Sequence, residues 1–146
     1  MTRKKKIILL IIGGVVLSLA FQALILYISY ITIWKQVDKY QIDEKTQTYL
    51  EAIVERDQEK LRSVSYDKDL DVQDLIHDLS KHFIFLSGEI TLKRGYSVNI
   101  NFGKGGIKIS LRYTATVGED QYTINVEYAK DGGGDGIRQI YFDYYY

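Results

Sequence analysis

Twenty-eight consecutive positions, Ile7 to Trp34, hold no Asp, Glu, Lys, Arg or His. As a helix this run is about 42 Å long at about 1.5 Å per residue, more than the roughly 30 Å hydrocarbon core of a bilayer requires, so it can span with tilt. Four cations, Arg3, Lys4, Lys5 and Lys6, abut it on one side, whereas the other side opens with mixed sign at Lys35, Asp38, Lys39, Asp43 and Glu44. The positive-inside rule then predicts a cytoplasmic N-terminus, with the residues after Trp34 outside the cell. Tyr27, Tyr30 and Trp34 cluster at the far end, where amphipathic rings suit the headgroup layer, and complete the expected anchor flanks.

The competing reading is a cleaved secretory signal, with Arg3 to Lys6 as the basic region, Ile7 to Leu17 as its apolar stretch and Ser18-Leu19-Ala20 as a cleavage site. Cleavage there would leave Phe21 to Ile28, almost wholly apolar, at the start of a secreted protein. An uncleaved signal anchor fits better. Within the run, Gly14, Ser18 and Gln22 recur every four residues and share a helix face, with Ser29 near the same line. Such a face suits helix pairing, with itself or another span; the alternative is that these residues are merely tolerated in a single span.

All 19 acidic residues and 15 of the 19 basic ones follow Trp34, so the zero net charge joins +4 before the run to −4 after it. The absence of Cys excludes a disulfide framework, a lipobox anchor, thiol catalysis and thiolate zinc sites. The acidic balance and the external address argue against nucleic acid as a partner. The N-terminal cations instead suit anionic lipid headgroups. The expected organisation is a cytoplasmic flank over 1–6, a transmembrane helix over 7–34, a helical connector over 35–41 and an extracytoplasmic domain over 42–146.

In that domain, Ile42, Tyr49, Leu50, Ile53, Val54, Leu61 and Val64 form one stripe, predicting an amphipathic helix from about Asp43 to Ser63. With no Gly or Pro between it and the span, the two should run almost continuously. Asp71 reads as an N-cap for a second helix whose apolar positions are Val72, Leu75, Ile76, Leu79 and Phe83, with a stop at Ser87-Gly88. From Ile90 the period becomes two: Ile90 to Phe102, Ile107 to Val117, Tyr122 to Tyr128, and Ile140 to Tyr146 read as four strands. Their short connections require an antiparallel meander. Arg94-Gly95 interrupts the first strand and suggests a bulge. Packing both helices on the apolar sheet face gives an α+β domain with a core of Tyr49, Leu50, Ile53, Leu61, Leu75, Leu79, Val98, Ile100, Ile109, Leu111, Ile124, Val126, Ile140 and Phe142.

The stretch Tyr49-Leu50-Glu51-Ala52-Ile53-Val54-Glu55-Arg56-Asp57-Gln58-Glu59-Lys60-Leu61 is an aromatic-Leu-x-Ala-acidic segment closed by an x-Asp-x-x-Lys-Leu turn. Together with the order helix, helix, four strands, it resembles the cystatin-like, nuclear-transport-factor-2-like superfamily, in particular small bacterial membrane-anchored domains of unknown function. The resemblance covers about 105 residues and implies a curved sheet forming a cone around the helices. It also implies two classes of role: assembly modules in conjugation and secretion machines, and enzymes such as ketosteroid isomerases and polyketide cyclases.

The cyclase-like class works in a pocket between helices and sheet. Candidates here are the phenols of Tyr96, Tyr113, Tyr122 and Tyr128, with Asp78 and His82 spaced i, i+4; the alternative for the latter two is an exposed helix pair. No Asp, Glu or His falls at a core-parity position of the inferred strands, which argues against catalysis. His77 and His82 diverge on a helix and cannot share a metal. Asp131 to Gly136 could be imagined as a calcium loop, but two carboxylates are few and a strand-connecting turn explains its glycines. Gly103 to Gly106 reads as a hairpin turn rather than a phosphate loop. Tyr141 and Tyr145 should stand on the face of the last strand away from the core, as a candidate partner surface or as cross-strand stabilisers. The sequence thus predicts a non-catalytic, single-pass interaction or scaffold module without cofactors. Its expected partners are the lipid bilayer and another membrane or cell-envelope protein, a further copy of itself included. The alternative is a small-ligand pocket protein or weak enzyme of the same fold.

Overall fold

Instead of running on into the next helix, the first helix ends in a break. In the computed structural model, which describes residues 2–143, helix α1 (Arg3–Lys39) ends in a turn at Tyr40-Gln41. Gln41 adopts left-handed backbone angles, φ 53°, before α2 (Ile42–Glu55) begins. α1 is long and apolar enough to cross a membrane. Every large apolar side chain from Ile7 to Tyr30 is exposed on it, as expected of a surface whose solvent is lipid. The chain divides into two compact units after Gln36.

The expected helix over Asp43 to Ser63 is two helices, α2 and α3 (Gln58–Val64). The reason is a closing motif at Arg56, which sits in the left-handed region at φ 57°. The Asp57 amide donates to Ala52 O and the Arg56 amide to Ile53 O, consuming the last carbonyls of α2. Asp57 then turns to cap α3, its carboxylate accepting from the Lys60 amide at 3.0 Å.

Helix α4 (Val72–Lys81) is capped by Asp71, which accepts from the Gln73 and Asp74 amides. It ends well before Ser87-Gly88 in the same kind of motif: Phe83 takes φ 58°, its amide donating to Ser80 O while that of Ile84 donates to Leu79 O. Phe83 is therefore outside the helix and 86 % exposed, contrary to its place in the apolar stripe.

The sheet is an antiparallel meander in the order β1 (Ile90–Gly103), β2 (Gly106–Val117), β3 (Asp120–Asp131), β4 (Gly134–Asp143). The architecture is thus α+β. Two bulges shape it. Between Arg94, paired with Tyr113, and Val98, paired with Leu111, β1 carries extra residues opposite Arg112. A Cβ on Gly95 would lie 2.7 Å from the Arg112 carbonyl oxygen, so this approach needs glycine. On β4, Arg138 is the extra residue between Ile137 and Gln139, which explains why Ile137 and Ile140, of opposite parity, share the core side.

α2 lies on β1 and β4, whereas α4 packs against α2 rather than on the sheet. Only Val72 of α4 is fully buried, so Leu75 and Leu79 are half-buried instead of core, as are Val98, Ile100, Ile140 and Phe142 on the two edge strands. The filled centre comprises Ile42, Tyr49, Leu50, Ile53 and Leu61 against Ile109, Leu111, Tyr113, Ile124, Val126, Tyr128 and Ile137.

Candidate functional site

Three tyrosine–aspartate pairs brace the domain, two of them joining a helix or loop to the sheet and one linking β3 to β4. In the first, the buried Tyr113 of β2 donates its hydroxyl to Asp43 Oδ1 of α2 at 2.6 Å. The other oxygen of Asp43 accepts from Arg94 Nε at 2.7 Å, and Arg94 Nη2 also reaches Asp38 in the last turn of α1. One guanidinium on a β1 bulge therefore holds carboxylates on both sides of the Gln41 break. Burial pushes the Tyr113 phenol far above its usual range, and its bond to Asp43 adds to the effect. At neutral pH it stays protonated and donates to the Asp43 carboxylate.

In the second pair, Tyr128 donates to Asp135 Oδ1 at 2.7 Å, while Lys45 Nζ approaches the same oxygen at 3.0 Å and Lys130 Nζ the other at 3.3 Å. The Tyr40 ring packs on that of Tyr128 with centroids 5.5 Å apart. In the third, Tyr66 donates to Asp131 Oδ1 at 2.8 Å, which also accepts from the Gly133 amide. Here segment 65–66 lies against β4, and a Cβ on Gly136 would come within 2.6 Å of the Ser65 carbonyl carbon. Of the stretch 131–136 only 132–133 connect the strands, Asp131 ending β3 and Asp135 lying in β4, and both carboxylates are engaged by protein donors.

These bonds carry a pH signature. Burial alone would raise the Asp135 carboxyl, but the Tyr128 and Lys45 hydrogen bonds outweigh it and hold it below the usual range; the Tyr66 and Gly133 bonds lower Asp131 likewise. A carboxyl with a lower pKa in the fold than in the unfolded chain stabilises above the unfolded value, about 4, and that stability is lost as pH falls through the folded value. Thermal unfolding followed by tyrosine circular dichroism should therefore give a flat midpoint between about pH 7 and 5 and a decline below about pH 4, with Asp135→Asn shallower on the acid side.

Other candidate residues fall apart. Asp78 forms an exposed ion pair with Lys81 at 2.9 Å, and His82 is the C-cap of α4. Of the four phenols, Tyr113 and Tyr128 are structural as above, Tyr122 meets Phe142 edge to face at 5.8 Å, and the side chain of Tyr96 lies outside the described ones. Gly14, Ser18 and Gln22 are exposed on α1, as are Lys4, Lys5, Lys6 and Tyr27; Arg3 opens the same helix, and Tyr30 meets Trp34 edge to face at 5.8 Å. Tyr141 is 44 % exposed opposite Asn125, on the side away from the core, and donates to Gln139 at 2.6 Å. Tyr144, Tyr145 and Tyr146 lie outside the described residues.

Two features were not foreseen. Arg94 shares parity with Ile90 and Leu92, and a cation in the core-facing register was the one sign of the first cluster. After α4, the chain presents Phe83 and Phe85, 86 % and 64 % exposed, with Ile84 buried between them. On one side of this segment lies a cavity of about 660 Å³ bordered by Lys81, His82, Phe83, Tyr122, Phe142 and Asp143; on the other lies an apolar cleft of about 480 Å³ between Ile53, Ile76, Leu79 and Leu86. No protein-family model, curated protein or solved structure matches the chain.

Proposed function

We propose that this chain is a single-pass membrane protein with its N-terminus in the cytoplasm, whose extracytoplasmic α+β domain docks another cell-envelope protein and performs no catalysis. The observation that carries the reading is the segment 83–85. A left-handed Phe83 is an unusual backbone state for a bulky residue. It keeps one ring almost fully in solvent, a second follows two residues later, and exposed aromatic groups beside apolar clefts suit protein contacts. The carboxylates near the phenols serve as braces, which also favours a structural role. The cystatin-like reading puts two helices on a curved four-stranded meander; α2 on the sheet agrees with it in part, and assembly modules are one of its two implied roles.

The cavity beside Phe83 supports a second reading, a small-ligand site lined by aromatic, cationic and acidic groups. Photo-crosslinking amino acids at Phe83, Phe85, Tyr141 and Gly14 in intact membranes separate the two. A discrete adduct with another protein from position 83 or 85 supports docking; monomer alone from all four sites overturns it and leaves the ligand reading.

A further inference from the structure

Asp38 and Asp43, the acids nearest the end of α1, are both taken up by Arg94. Three lysines beside them are left with little anionic company. Lys39 Nζ stands 5.3 Å and Lys130 Nζ 5.6 Å from the Tyr40 ring centroid, and Lys45 Nζ 5.0 Å from that of Tyr128. Because the two rings pack on each other, the three ammonium groups belong to one cluster drawn from α1, α2 and β3. Among the described residues one carboxylate, Asp135, contacts it, touching Lys45 and Lys130 but not Lys39. The aromatic faces hold the cations without neutralising them. An excess of positive charge on a preassembled aromatic base has the chemistry of a phosphate-oxygen site.

The covalent chain limits where that phosphate can come from. Lys39 follows Trp34, the last residue of the uncharged run, by five positions, and five residues reach at most about 18 Å even fully extended. If the run occupies the hydrocarbon layer, Lys39 is confined to the headgroup zone and its immediate surroundings, however the two units are arranged.

We propose that Lys39, Lys45 and Lys130, assembled on Tyr40 and Tyr128, bind a phosphate group, supplied by anionic lipid headgroups of the leaflet opposite the N-terminal Arg3 to Lys6 cluster. The assignment of the source rests on the membrane-spanning reading of α1.

The test is lysine acylation of the full chain in nanodiscs, with rates at each site read by mass spectrometry. One set contains phosphatidylcholine alone and one contains about a third phosphatidylglycerol; a third arm adds inorganic phosphate to the phosphatidylcholine discs. The phosphatidylglycerol discs should slow acylation of Lys39, Lys45 and Lys130 roughly threefold or more, with Lys81, exposed on α4, as the unchanged reference. In K39Q/K130Q, which alters two exposed positions, the protection of Lys45 should disappear. Protection by inorganic phosphate in the phosphatidylcholine discs would keep the phosphate site but overturn the lipid as its source. Equal rates in all three arms, or slowing that includes Lys81 and survives K39Q/K130Q, would overturn the site itself. Failure of the spanning reading is separately visible, since the chain would then be missing from the nanodisc fraction.

Discussion

Arginine at both Val16 and Leu19 should reduce the alkaline-carbonate-resistant fraction of the protein to less than about a tenth of the wild-type level. Each charge near the centre of a spanning helix costs about 3 kcal/mol on the insertion scale, and two of them exceed the factor of ten that separates a bound from a released population. The wild-type run has no ionisable group over 28 positions, and Val16 and Leu19 are both exposed on α1. Conservative Val16→Leu with Leu19→Ile is the control and should leave extraction unchanged. Immunoblots of carbonate-washed membranes decide the matter: a double-arginine chain that stays in the pellet contradicts a spanning α1.

The second large effect is expected within the domain. Leu50→Ala should destabilise it by about 2 to 5 kcal/mol, because the side chain is wholly buried and its removal combines lost transfer energy with an unfilled cavity. The site has little freedom to collapse: α2 is held to β1 and β4 on one side and contacts α3 and α4 on the other. For a domain of this size the unfolding midpoint should fall by about 10 °C or more. Thermal scans of the full chain in nanodiscs, read by near-ultraviolet tyrosine signals, measure it; a shift of under about 2 °C would mean that α2 is not the central helix of the core. Val54→Ala, on the same helix at a half-buried position, is the comparison and should cost markedly less.

What the sequence made legible followed period and composition. The uncharged run, the Asp71 cap and the four-strand meander were all readable, because hydrophobic alternation and short connections leave few other arrangements. The helix ends were not. Glycine is the usual sign of a left-handed helix end, yet the left-handed residues that follow three of the four helices are Gln41, Arg56 and Phe83. Their hydrogen-bond closures form from backbone groups that any residue possesses, so residue type gave no warning.

Burial of α4 was overestimated for a related reason. A stripe at 3.6 spacing shows that a helix has an apolar side, not which surface receives it, and α4 found α2 instead of the sheet. The edge strands likewise carry core-parity residues that nothing covers fully. Of the candidate site, Tyr113 and Tyr128 were visible from their parity, but Tyr66 and the acceptors were not: Asp43 comes from α2, Asp131 and Asp135 from the ends of β3 and β4, and only folding brings them within reach. Arg94 was the one hint that the sheet face would carry polar contacts.

That arginine has a mechanical meaning. The turn at Gln41 interrupts the helical hydrogen-bond ladder between Val37 and the sheet. By grasping Asp38 upstream and Asp43 downstream, Arg94 supplies a parallel route, so that tension arriving at Val37 passes into β1 sideways, as through a rivet in shear, before it can peel α2 from its N-terminal end.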